Sequence, residues 1–169
     1  MKTLRFALFV SCCAAAPLLA ADPPKAVVNF DNWKNYTDIK DQIDPTDSGE
    51  RAILDQLKQA LVLDAKTEVP DGDTLTITFQ DIHLAGMFEP WRGPKWDETR
   101  VVAPIYPPSF RFTWSLTDPS GKVIRQGKED MTDEDFSIRA TIDPNEPLHF
   151  EKDILKDWMH RALLGVKAG

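Results

Sequence analysis

The chain has 169 residues, 42% of them apolar, with 20 basic and 27 acidic side chains and a net charge of -7. That length suits one compact domain. The acidic balance argues against nucleic acid and anionic membrane faces as partners, since both want clustered Lys and Arg.

Lys2 and Arg5 precede a run from Phe6 to Ala21 that is apolar or small and carries no charge. This is the layout of a secretory leader: a basic start, an apolar middle, then small residues where a peptidase cuts. Cleavage after Ala20 or Ala21 divides the chain into a signal peptide, 1–21, and a single α+β domain, 22–169. The mature chain loses Lys2 and Arg5, leaving 18 basic against 27 acidic residues and a net charge of -9. A spanning helix needs about 20 apolar residues, and this run is shorter and interrupted by Pro17. Both cysteines, Cys12 and Cys13, leave with the leader, so the mature domain is expected to have no disulfide and no thiolate ligand or nucleophile. Lipoprotein anchoring is not expected, because only Phe6 to Ser11 stand ahead of Cys12.

Ala26 to Phe30 is a short β-prone run and reads as the first strand. In the polar stretch that follows, Asp31 to Ser48, Trp33 and Tyr36 are expected to pin the loop. Asp47 and Glu50 resemble a capping box. Ile53, Leu57, Ala60 and Leu61 then recur at helical spacing, predicting a helix over Glu50–Asp64. Thr74 to Phe79 alternates cleanly as a strand. That alternation slips at Asp81 and His83, which predicts a bulge near Gln80–Asp81 or a strand leaving the sheet. Phe110, Phe112, Trp114 and Leu116 form another alternating face. Asp118-Pro119-Ser120-Gly121 reads as a type I turn, returning through Val123 to Gln126. A last helix carries Phe150, Ile154, Leu155, Trp158 and Ala162, with Gly165 suited to its end.

The order β-α-β-β-β-α predicts an α+β fold: a mostly antiparallel four-stranded sheet with two helices on one face. Long loops are expected at Asp31–Ser48, Gly86–Pro108 and Glu129–Glu146. Such loops are either functional or pinned by their own aromatics.

No Gly-rich phosphate loop, nucleophile elbow or zinc-protease motif is present. His149 and His160 are eleven residues apart, about 16 Å along a helix, too far to share one metal. The run Glu129 to Asp135 could offer Asp130, Asp133 and Asp135 to calcium, yet it lacks EF-hand spacing and reads more readily as a solvated turn with an N-cap near Asp133. Met87 to Trp96 holds three aromatics, two prolines and two cations. It is either a recognition surface or a loop whose rings Phe88, Trp91 and Trp96 fold back onto the body. The charges of the last helix, Glu151, Lys152, Asp153 and Asp157, read as exposed decoration beside a Trp158 anchor, with Arg100 and Arg139 as candidate partners.

Several words of the sequence carry a resemblance. Asp81-Ile82-His83-Leu84-Ala85-Gly86 is similar to an Asp-x-Asp-Leu-Ala-Gly signature, followed in order by Phe88 to Pro94, Arg100-Val101 and Ile105 to Pro108. Leu148 to Trp158 resembles a Leu-x-Tyr-Glu-Lys-x-x-Leu-x-Asp-Trp ending. Together these resemble the domain-of-unknown-function family 3016. The resemblance implies a short exported bacterial protein of the periplasm and carries no activity with it. Two positions depart from the pattern: His83 replaces the second Asp and Phe150 replaces Tyr.

The leading expectation is a non-enzymatic domain that binds an envelope protein through the aromatic loop or an open sheet edge. Its candidate binding residues are Phe88, Glu89, Trp91, Arg92, Trp96 and Arg100, with no cofactor. The rival is a hydrolase using Asp81 and His83 with Glu89, Glu151 or Asp157. A third reading is metal capture by Glu129 to Asp135.

Overall fold

The computed structural model describes residues 24–41, 43–139 and 143–164. The expected leader, its expected cleavage site and Gly165 lie outside the described residues. Two helices, α1 (Asp47–Glu68) and α2 (His149–Leu163), accompany strands β1 (Ala26–Phe30), β2 (Thr74–His83), β3 (Met87–Phe88), β4 (Arg100–Val101), β5 (Ser109–Thr117) and β6 (Val123–Thr132). The four main strands form one sheet in the order β1-β2-β5-β6.

The α+β expectation holds, and the sheet is mixed. β1 runs parallel to β2, while β2–β5 and β5–β6 are antiparallel. The parallel pair follows from the connection: strands joined through a helix arrive in the same sense, whereas tight turns reverse the chain. The Asp118–Gly121 turn does reverse it, with the Asp118 amide bonded to the Lys122 carbonyl at 2.9 Å.

Alternation sets the buried face. Leu75, Ile77 and Phe79 of β2 and Phe110, Phe112, Trp114 and Leu116 of β5 are buried, and their neighbours are half-exposed. The anticipated bulge falls between Phe79 and Asp81, which keeps Ile82 inside. An aromatic chain crosses this face: Phe30 to Phe79 at 5.4 Å, Phe79 to Phe112 at 5.1 Å, and Phe112 to Trp158 of α2 at 4.6 Å, edge-on. Leu57, Leu61 and Ala65 of α1 join the same core.

Four sequence expectations change. The side chain of Thr46, not Asp47, caps α1 by accepting from the Ser48 amide. The helix runs on to Glu68 and stops at Val69, where the following Pro70 disfavours helical backbone. The stretch from Glu129 to Thr132 is strand rather than loop, because β5 is long enough to pair with it as far as Thr132. The 86–108 loop is also better ordered than expected: β3 and β4 pair with each other, and two 3₁₀ turns, Pro90–Arg92 and Pro94–Trp96, lie between them. Trp33 and Tyr36 do pin the first loop, Tyr36 through its hydroxyl to the Phe79 carbonyl at 2.9 Å.

Candidate functional site

At the end of β2 the segment Leu84-Ala85-Gly86 leaves the sheet and becomes the point where distant segments meet. Gly86 has φ 84° and donates its amide to the Tyr106 carbonyl at 3.0 Å. A Cβ there would stand 2.7 Å from the Val101 carbonyl oxygen, so glycine is required on both counts. Arg100 reaches back across this turn. Its guanidinium takes both oxygens of Asp38, at 2.8 and 2.9 Å, and donates to the carbonyls of Gly86 and Lys40 at 3.0 Å. Asp38 is itself tied to β2 through the Ile82 carbonyl and the Leu84 amide. The fork fixes loop, strand end and ribbon with one side chain.

The aromatic loop is built on Glu89. That carboxylate is 7% exposed and accepts from the Tyr106 hydroxyl at 2.7 Å and from Arg92 at 2.6 Å. The Tyr106 hydrogen bond, helped by Arg92, holds Glu89 below the ordinary glutamate range and in turn raises the tyrosine. Arg92 then lies 4.5 Å over the Trp96 ring, with Lys95 at 5.0 Å. Phe88 sits between Lys40 and Arg100, at 4.9 and 4.7 Å. Trp91 is different: it is 67% exposed. Phe88 therefore folds back against the body, Trp96 is half-buried under its own loop's cations, and Trp91 faces solvent. The six residues singled out from sequence form two linked groups, Phe88 with Arg100 and Glu89 with Arg92 and Trp96, leaving Trp91 outward.

Beside Arg100 opens a cleft of about 420 Å³, lined chiefly by Ile53, Leu84, Val102, Leu148, Phe150 and Glu151. Glu151 corrects the sequence reading. It is not surface decoration but 3% exposed, with Oε1 accepting the Ala85 amide at 2.7 Å. Burial pushes its carboxyl above the usual range, against the opposing pull of that hydrogen bond. The signal was present: Glu151, Ile154, Leu155 and Trp158 recur at one helical phase, so position 151 belongs to the apolar face. Leu148, ahead of the helix, takes φ 59°, a left-handed conformation uncommon for a bulky residue.

The residues of the hydrolase reading are dispersed. Asp81 accepts the Thr37 amide and hydroxyl at 2.6 and 2.8 Å and pairs with Arg111 at 3.4 Å. His83 is half-buried and bridges through backbone to Asp38 and Ser109. Asp157 pairs with Arg139 at 2.6 Å, so Arg139 does meet the last helix, whereas Arg100 pairs with Asp38. No described hydrogen bond joins Asp81 or His83 to Glu89, Glu151 or Asp157. In the acidic run, Glu129 accepts from the Trp114 indole at 2.9 Å and Asp133 pairs with Arg139 at 2.5 Å. Among the described residues no group of three or more His, Cys, Asp or Glu converges as a metal would need. Nor is any described helix long and apolar enough to cross a membrane.

A family described as "protein of unknown function (DUF3016)" matches residues 25–161, most of the chain. No curated protein and no solved structure matches it.

Proposed function

We propose that this chain, which belongs to the DUF3016 family, acts as an exported, periplasmic binding domain that holds an envelope protein against its Met87–Trp96 loop. The observation that carries this reading is Trp91, 67% exposed on a loop whose other anchors are occupied. A large ring left in solvent on a fixed loop is the arrangement of an interface anchor: it offers area at little further ordering cost. The leader-like start of the sequence supports export, and the proline-initiated turns around Trp91 support a fixed presentation.

The test is covalent crosslinking in living cells from a photoreactive residue at position 95, followed by mass spectrometry. One reproducible envelope protein is expected, and Trp91→Ala should abolish its capture while leaving the melting temperature unchanged. Capture that survives Trp91→Ala, or a fall in stability equal to the loss of capture, overturns the reading.

A further inference from the structure

β6 is the outer strand of the sheet, ten residues long, and among the described residues no strand pairs with its far side. Val123 and Ile124, 46% and 45% exposed, begin it. A free edge of this length is a template for another strand, and proteins ordinarily guard such edges with charges that repel or block a newcomer. The charges on β6 do something else: they are complementary to their own reversed order.

When two identical strands pair antiparallel about a two-fold axis, opposed residues share one face of the sheet. With the axis at Gly127, Arg125 stands opposite Glu129 of the second copy, and the symmetry repeats that pair. Gln126 then faces Lys128, Ile124 faces Asp130, and Val123 faces Met131. No like charges meet. Moving the axis to Lys128 sets that lysine against itself, and moving it to Gln126 sets Arg125 against glycine. One register is therefore singled out by charge alone. The five residues of β1, Ala26–Phe30, offer nothing comparable at the opposite edge, having no charged side chain.

The core-side partners of this register are already positioned. Gly127 lies beneath the Trp114 indole, whose nitrogen donates to Glu129 and fixes that carboxylate at the edge. Arg125 extends toward the end of α2, reaching the Leu164 carbonyl at 3.4 Å. We propose that β6 pairs antiparallel with β6 of a second copy about Gly127, joining two four-stranded sheets into one sheet of eight strands.

The test is sedimentation of the purified protein over a range of concentrations. A monomer–dimer equilibrium is expected. Arg125→Glu and Glu129→Arg should each weaken it about tenfold or more, as two exposed cross-strand pairs become repulsive. The double reversal should restore it. Because Glu129 also holds Trp114, the second arm avoids both charges: Gln126→Cys protein mixed with Lys128→Cys protein should form a disulfide-linked heterodimer on mild oxidation. A protein that stays monomeric at every concentration, or a dimer indifferent to both reversals and giving no heterodimer, overturns the proposal.

Discussion

Glu151 Oε1 accepts the Ala85 amide at 2.7 Å, tying the first turn of α2 to the end of β2 across 66 residues of sequence. The bond satisfies a backbone donor where the strand leaves its sheet, and it does so with a group that burial drives toward its neutral form. Two of the signature segments meet in this one contact, and the Arg100 fork on Asp38 and Gly86 brings in a third.

Glu151→Ala should lower stability by about 2–4 kcal/mol, since it leaves both a void and an orphaned Ala85 amide. Glu151→Gln keeps the acceptor and removes the proton. A carboxyl raised in the folded state binds more protons there than in the unfolded chain. Its contribution is fully present below the ordinary glutamate value of about 4.3 and is lost as pH rises through the elevated folded value. The stability of Glu151→Gln relative to the parent should therefore increase as pH is raised across that window. Urea titrations from about pH 4.5 to 7 measure it; a difference that does not change with pH would mean the carboxyl is ionised throughout.

Arg100→Lys should destabilise by about 1–3 kcal/mol despite keeping the charge. The Arg100 side chain is 11% exposed and serves three acceptor groups with a planar fork that an ammonium cannot reproduce. Arg100→Ala should cost more, because Asp38 would keep a partly buried charge without its partner. The check is a thermal melt, where each kcal/mol moves the midpoint by about 2–4 °C in a domain of this size. No loss in Arg100→Lys would show that only the charge mattered, and equal losses in both variants would show that the charge adds nothing to the fork.

Tyr106→Phe should make the aromatic loop sensitive to acid at a higher pH. A carboxylate held below its ordinary value contributes stability above about pH 4.3 and loses it as pH falls through the depressed folded value. The Tyr106 hydroxyl is the largest cause of that depression in Glu89. Tryptophan fluorescence during acid titration should show the Trp91 and Trp96 transition moving upward in pH in the variant, with the neutral-pH spectrum little changed. An unmoved midpoint would place the loop's stability elsewhere.

The strands were legible because period-2 patterns such as Leu75-Ile77-Phe79 and Phe110-Phe112-Trp114-Leu116 report directly which face is inside. The slip at Asp81 gave the bulge for the same reason. Less accessible was anything set by pairing between distant segments. The parallel sense of β1, the β3–β4 ribbon and the Arg100–Asp38 fork depend on contacts across 49, 14 and 62 positions, and no local spacing encodes them. Trp91 and Trp96 look alike in sequence; the nearby Arg92 and Lys95 cover one and leave the other open. Glu151 was readable and was hidden only by its charge, since its helical phase already placed it inside.

Gly127→Ala tests how closely β6 is fitted to its neighbour. Exchanging glycine for alanine within a strand normally gains about 0.5–1 kcal/mol by restricting the unfolded chain. Here a Cβ would stand 2.7 Å from Trp114 Nε1 and 3.0 Å from its Cε2, closer than carbon atoms tolerate. The indole cannot simply swing away, because its nitrogen is bonded to Glu129 and its ring packs 5.8 Å from Trp158. Overpacking of this kind costs about 1–3 kcal/mol, so the substitution should destabilise against the usual trend. The ring must also shift, which should alter the near-ultraviolet circular dichroism along with the urea midpoint. A gain in stability, with the aromatic spectrum unchanged, would mean that Trp114 does not lie across Gly127 in solution.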